Sequence, residues 1–201
     1  QVGHGMGEAP DVIIIKNRSS SRLWAVYHKE LTAPAANRYL ILNDSTYGEL
    51  ANSTLWGNVA PSSTIITTGE NASVNQPNEN LVAYCWKERQ GFSKFGKYVG
   101  NGSTNGTFVY TGFRPAFILA KSVDAAEAWL IADDTRPGYN PTDEVLKPNN
   151  SNAVASGSTY AIDILSNGFK ARTAWEGWNQ SGKTILYLAM AKNPFQYATA
   201  R

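Results

Sequence analysis

The residues with the clearest chemical spelling are Gly177 to Thr184, "GWNQSGKT". They match G-x-x-x-x-G-K-[ST], in which loop amides cradle nucleotide phosphates and a lysine reaches the β- and γ-phosphates. Asp133 and Asp134 end the apolar run "WLIADD", in the manner of a magnesium-binding acidic strand end. That pair could also take Ca²⁺ together with loop carbonyls, or it caps a strand and solvates a turn. Adjacent residues on a strand point to opposite faces, so the two aspartates do not supply the spaced carboxylates of glycoside hydrolysis. His4 in "GHGMG" and His28 in "WAVYHK" have no cysteine or paired acids beside them and make a poor metal set. Cys85 is the only cysteine, which excludes a disulfide within the chain; in "LVAYCW" it reads as a buried, inert thiol. No G-x-S-x-G nucleophile motif occurs. The sequence therefore assigns no catalytic residue, no metal and no cofactor.

A phosphate loop needs a buried strand before it and a helix after it. Here Thr184 is followed by "ILYLAMAKNPF", an apolar run that reads as a strand. Only seventeen residues follow Thr184, too few for a crossover helix and further parallel strands. Gly177, Gly182 and Lys183 are accordingly read as a chance match.

The elements that position these residues are organised by an internal repeat. "APDVIIIKN" (Ala9 to Asn17) aligns with "RPAFILAKS" (Arg114 to Ser122), and Trp24 with Trp129, at the same spacing. "YLILND" aligns with "VLKPNN", "NSTLW" with "SGSTY", and "VNQPNENLVAYCWKE" with "WNQSGKTILYLAMAK", in collinear order. The first copy has Asn78 and Glu79 where the second has Gly182 and Lys183. What the copies share is Asn-Gln and a polar turn, Asn75-Gln76 and Asn179-Gln180, which predicts a hairpin turn. "DVIIIK", "AFILAK", "LVAYCW" and "ILYLAM" are short apolar runs rich in β-branched or aromatic residues, suited to central strands buried on both faces. "VDAAEAWLIADD" has helix-forming residues, but its partner "SSSRLWAVYHK" reads as loop then strand, so a strand is expected in both. "STIITT" and "FKART" read as half-buried strands.

The expected fold is all-β: two tandem repeats of a β-sandwich or jelly-roll-like module, residues 1–90 and 91–201. The first repeat lacks the opening stretch that "GFSKFGKYVG" supplies to the second. Either the parent polypeptide continues upstream of Gln1, or the first copy lacks that strand.

Charged residues make up 17% of the chain and the formal net charge is +2, with lysines and arginines scattered singly. That leaves no electrostatic footprint for nucleic acid. The longest strictly apolar run, Ile185 to Ala191, is far short of the ~20 residues of a membrane-crossing helix.

The repeat also sorts the aromatics. Trp24, Trp129, Trp56, Tyr160 and Trp178 fall at matched positions and read as core. Trp175 aligns with Asn71 of a polar loop; it is either folded over a barrel end or exposed for stacking on a sugar or a neighbour. Tyr139 lies in "DDTRPGYNPTDE", a loop that diverges from "HKELTAPAANR" in the first copy. Trp175, Tyr139 and Asp134 are the candidate contacts for a glycan or a protein partner.

"GFSKFGKYVGNGSTNGTFVYTGFRPAFILAK", "ILSNGFK" and "YLAMAKNPF" resemble a repeated domain of unknown function in predicted structural proteins of marine bacteriophages. "HGMGEAPDVIIIKNRSSS" and "LVAYCWKE" resemble the preceding copy. The resemblance implies a virion protein, a tail-fibre or appendage module that assembles with other virion subunits as a homo-oligomer and attaches to a host-surface glycan. A decoration protein that contacts only virion subunits, and a glycan-cleaving enzyme, are the alternatives. The resemblance supplies no catalytic residues.

Overall fold

A computed structural model describes residues 1–194. The end of the second expected repeat, including Phe195 of "YLAMAKNPF", lies outside the described residues. The chain is all-β, with antiparallel sheets throughout. It divides into two compact units, one of Gln1–Lys87 and one that begins at Glu88. Among the described residues no helix is long and apolar enough to cross a membrane.

The first unit holds β1 (Val2–Gly3), β2 (Val12–Asn17), β3 (Trp24–His28), β4 (Arg38–Ile41), β5 (Leu50–Ala51), β6 (Ile65–Ile66) and β7 (Leu81–Trp86). A single turn of helix, α1 (Ala72–Asn75), precedes β7. The main sheet runs β5-β4-β3-β2-β7, and β1 pairs with β6. Ile13, Ile15, Ala25 and Tyr27 face a core shared with Leu55, Trp56, Ile66 and Val74. The run "DVIIIK" is central and buried, as its unbroken β-branched composition requires. "STIITT" contributes only Ile65–Ile66 as strand.

The second unit holds β8 (Ser93–Val99), β9 (Phe108–Tyr110), β10 (Pro115–Ser122), β11 (Leu130–Asp133), β12 (Glu144–Val145), β13 (Ala155–Ser156), β14 (Ile162–Leu165), β15 (Gly168–Ala171) and β16 (Thr184–Ala191). A four-stranded sheet, β11-β10-β16-β8, and a three-stranded sheet, β14-β15-β9, bury one common core. Phe169 of β15 sets its ring edge-on to Tyr98 of β8 at 5.9 Å and to Tyr187 of β16 at 5.5 Å. The stretch "WLIADD" is strand: Ile118, Leu119 and Ala120 of β10 pair with Ala132, Ile131 and Leu130, and this ladder outweighs the helix preference of its alanines.

The two units use the same register in their central ladders. Ile14 lies between Val26 and Tyr84, and Leu119 lies between Ile131 and Leu188. These are the residue pairs that the sequence alignment places together.

Two expectations are corrected. "VNQPNEN" and "WNQSGKT" are not hairpin turns, because each joins strands of different sheets: β6 pairs with β1 whereas β7 pairs with β2, and β15 pairs with β14 and β9 whereas β16 pairs with β10 and β8. And "LVAYCW" is not a central strand. β7 stands at a sheet edge with Ala83 and Tyr84 exposed, whereas β16 has a neighbour on each side and buries Ile185 through Ala189. Composition is alike in the two runs; what differs is the second neighbour. Cys85 is half-buried for the same reason, and that burial raises its thiol pKa.

Phe169 is wholly buried between the two sheets of the second unit. Phe169→Ala is expected to cost roughly 3–5 kcal/mol in denaturant unfolding; a loss below about 1 kcal/mol would show that the ring does not hold the sheets together.

Candidate functional site

Most residues of "GWNQSGKT" have structural tasks. Thr184 opens β16, so a strand stands where a phosphate loop needs its helix. Gly177 lies under the indole of Trp175, whose ring atoms would come within 2.2 Å of a Cβ there. Gly182 adopts a positive φ of 75° in the turn that precedes β16. Lys183 donates from Nζ to the carbonyl of Asp124, and Thr184 N donates to the Asp124 carboxylate at 2.7 Å. Asn179 is fully buried. Its Nδ2 donates to Asn101 Oδ1, Ser103 O and Thr173 O, and its Oδ1 accepts from the amides of Asn101 and Thr107.

Trp175 is partly buried. It packs on the core and meets Tyr160 edge-on at 5.1 Å, so it is not a free stacking platform. Lys147 caps the group, with Nζ 3.1 Å from the Tyr160 hydroxyl and 5.0 Å from the ring centre. Beside it stands a pair that the sequence does not announce. The carboxyl of Glu127 hydrogen-bonds that of Glu176, and the two are 49 positions apart with no motif linking them. Lys121, wholly buried, reaches back from β10 to donate to the carbonyls of Ala125 and Glu127 and so folds the loop that carries Glu127. Burial above all, then the hydrogen bond and charge of Glu176, push Glu127 up to about 7, against the opposing pull of Lys121 and Lys147.

Asp133 and Asp134 are bound into the fold. Asp133 accepts from the amides of Thr135 and Arg136 through Oδ1 and pairs with Arg136 Nε at 2.9 Å through Oδ2. Asp134, expected to face a glycan or partner, instead has a side chain only 5% exposed, held by Lys192 at 2.6 Å and Arg114 at 3.8 Å. Arg114 precedes β10 and Lys192 follows β16, so this carboxylate ties two strand ends together. Among the described residues no three His, Cys, Asp or Glu side chains gather where they could hold a metal ion. His28, at the end of β3, is buried and accepts from the Glu30 amide.

Tyr139 is the one sequence candidate that is presented to solvent, at 73% exposure. The loop that carries it is clamped at both ends. Asp133 and Arg136 close its start; at its end Asn140 both donates to and accepts from the Ile164 backbone at 2.9 Å, and Thr142 exchanges two backbone bonds with Ile162.

A family model described as a domain of unknown function, DUF7483, matches residues 1–194 in one stretch. The chain belongs to this family. No curated protein and no solved structure matches it.

In this DUF7483 chain the strongest electrostatic consequence comes from the Glu127–Glu176 pair. The unfolded chain loses the Glu127 proton as pH passes the ordinary 4.5, whereas the folded chain keeps it to about 7. Stability must therefore fall with rising pH across that window. Solvent screens a half-exposed carboxyl, which limits the effect to the order of 1 kcal/mol. Between pH 5 and pH 8 the native chain is expected to lose about that much more stability than Glu127→Gln, as read by urea unfolding. Parallel pH profiles for the two proteins would refute the raised pKa of Glu127.

Proposed function

We propose that this chain is a structural protein of a bacteriophage virion, a tail-fibre or appendage module that attaches to a host-surface glycan. In this reading the two units are copies of one β-sandwich module, residues 1–90 and 91–201. The common ladder register of Ile14 and Leu119 supports the copying, and the motif resemblance supports the virion. The observation that carries attachment is Tyr139, an exposed ring at the end of a loop braced on both sides. A backbone already held in place loses little further conformational entropy when a sugar face or a protein surface stacks on the ring it carries. Loops that vary on a repeated scaffold are the usual carriers of recognition. The first unit has no tyrosine in the corresponding loop, and Leu31 there is buried. The chain would work on the virion surface, in a homo-oligomer and against other virion subunits.

Electron microscopy of the particle, with an antibody to this chain, places it on a distal appendage in this account. Tyr139→Ala should weaken binding to host envelope polysaccharide about tenfold while leaving the fold intact. If the native protein joins particles but binds neither host cells nor their polysaccharide, it is a decoration protein instead.

A further inference from the structure

The sheet β14-β15-β9 buries one face, through Ile162, Ile164, Phe169 and Val109, in the core of the second unit. Strand alternation turns the residues between them outward. Cross-strand pairing sets these in rows. One row holds Leu165, Gly168 and Tyr110, and the next holds Asp163, Lys170 and Phe108. Tyr110 is 64% exposed and Phe108 42%. Exposed rings scattered singly are ordinary, but these two stand together on one strand. A Cβ on Gly168 would come within 2.0 Å of the Val109 carbonyl and 3.1 Å of the Phe108 ring. Glycine thus lets β9 approach closely and lets the Phe108 ring lean over it.

The Tyr139 loop extends this face. Thr142 pairs with Ile162 and Asn140 bonds to Ile164, so Tyr139 falls at the register of Leu165. The row then runs Tyr139, Leu165, Gly168, Tyr110, with an exposed ring at each end. Of the charged side chains in β14 and β15, Asp163 is held by Arg172, Oδ2 to Nε at 3.4 Å. Lys170 makes no ion pair or hydrogen bond among the described residues. The face therefore joins two rings on β9 to one cation without a counterion.

With strands about 4.8 Å apart and residues about 3.4 Å apart along them, the patch from Tyr139 to Tyr110 measures about 15 Å by 7 Å. That is the footprint of a short oligosaccharide, far below the ~800 Å² that each partner gives to a stable protein interface. A single lysine suits one negative charge per sugar, as a uronic acid carries, better than a phosphate monoester with nearly two.

We propose that this face binds a carboxylated glycan. Apolar sugar faces stack on Phe108 and Tyr110, Tyr139 closes the far end of the row, and Lys170 donates to a carboxylate of the sugar. This rests on the glycan-attachment reading and names its ligand class.

The test titrates tetrasaccharides of glucuronic, galacturonic, mannuronic and guluronic acid, and the methyl ester of each, into the full chain, followed by amide NMR. At least one acid is expected to shift the amides of β9, β14 and β15 and to leave those of β2 and β3 in place. Its ester should bind about threefold more weakly, the worth of one exposed ion pair. Lys170→Met should remove that difference by weakening the acid and not the ester. Tyr110→Ala should weaken acid and ester alike, about tenfold. Tyr84→Ala, which removes an exposed ring of the first unit, should weaken neither. No shift from any acid at about 10 mM, enough to fill a ~1 mM site, overturns the proposal. So does an acid that shifts another surface, or an ester that binds as tightly as its acid. A purified particle protein that shifts these amides when no acid does would make the face a protein contact and overturn it equally. Uronate binding by a chain absent from particles keeps the site and removes the virion reading. Attachment to host polysaccharide that Tyr139→Ala abolishes while Tyr110→Ala and Lys170→Met leave it intact does the reverse.

Discussion

One buried carboxamide sets the layout of the second unit. Asn179 has no contact with water, so its donors and acceptor must be satisfied by the protein. Its partners come from two places: the Asn101–Thr107 loop that passes from β8 to β9, and Thr173, which lies with Asn179 itself in the connection from β15 to β16. Each of these segments crosses between the four-stranded and the three-stranded sheet. The amide therefore fixes the crossings, and the aromatic core of Tyr98, Phe169 and Tyr187 fills the space between. Tyr98 adds a second tie, donating from its buried hydroxyl to the Trp178 carbonyl at 2.7 Å. Burial raises the pKa of that phenol, which keeps it a donor. In low-dielectric surroundings such linked bonds hold one geometry firmly.

The first unit makes its crossing with other residues. Asn71 caps α1 by accepting from Ser73 N, and Asn75 donates to the Gly69 carbonyl. The buried amide there belongs to Asn17, at the end of β2. It accepts from the amides of Ser19 and Ser20 and donates to the Ala72 carbonyl and to Glu79. Glu79 has its pKa lowered by that bond to Asn17. A negatively charged glutamate thus serves where the second unit has Lys183, which is why the phosphate-loop spelling is found in one unit and not the other.

The all-β class and the strands were legible because short apolar runs bounded by Gly, Asn and Pro have few other ways to fold. Reading the two halves against each other corrected the local helix preference of "VDAAEAWLIADD". Where a strand sits in its sheet was not legible: "LVAYCW" and "ILYLAM" read alike, and only the presence of β8 separates a buried strand from an open edge. The sites divide the same way. Exposure of Tyr139 followed from its diverging polar loop. Asp134 did not, because its partners Arg114 and Lys192 are brought to it by two strand ends far apart in the chain. Glu127 and Glu176 carry no spacing signal at all; the fold of the loop around Lys121 joins them.

The fold that results uses its polar residues at the crossings between sheets and leaves the braced Tyr139 loop turned outward. The Tyr139 loop depends on the scaffold of the second unit, and that scaffold depends on Asn179. The most direct measurement is equilibrium denaturation of Asn179→Ala beside the native chain. The account predicts a loss on the order of 3 kcal/mol, because five hydrogen bonds of a fully buried amide are lost at once. A variant within about 0.5 kcal/mol of native, the range of an unengaged surface position, would contradict it.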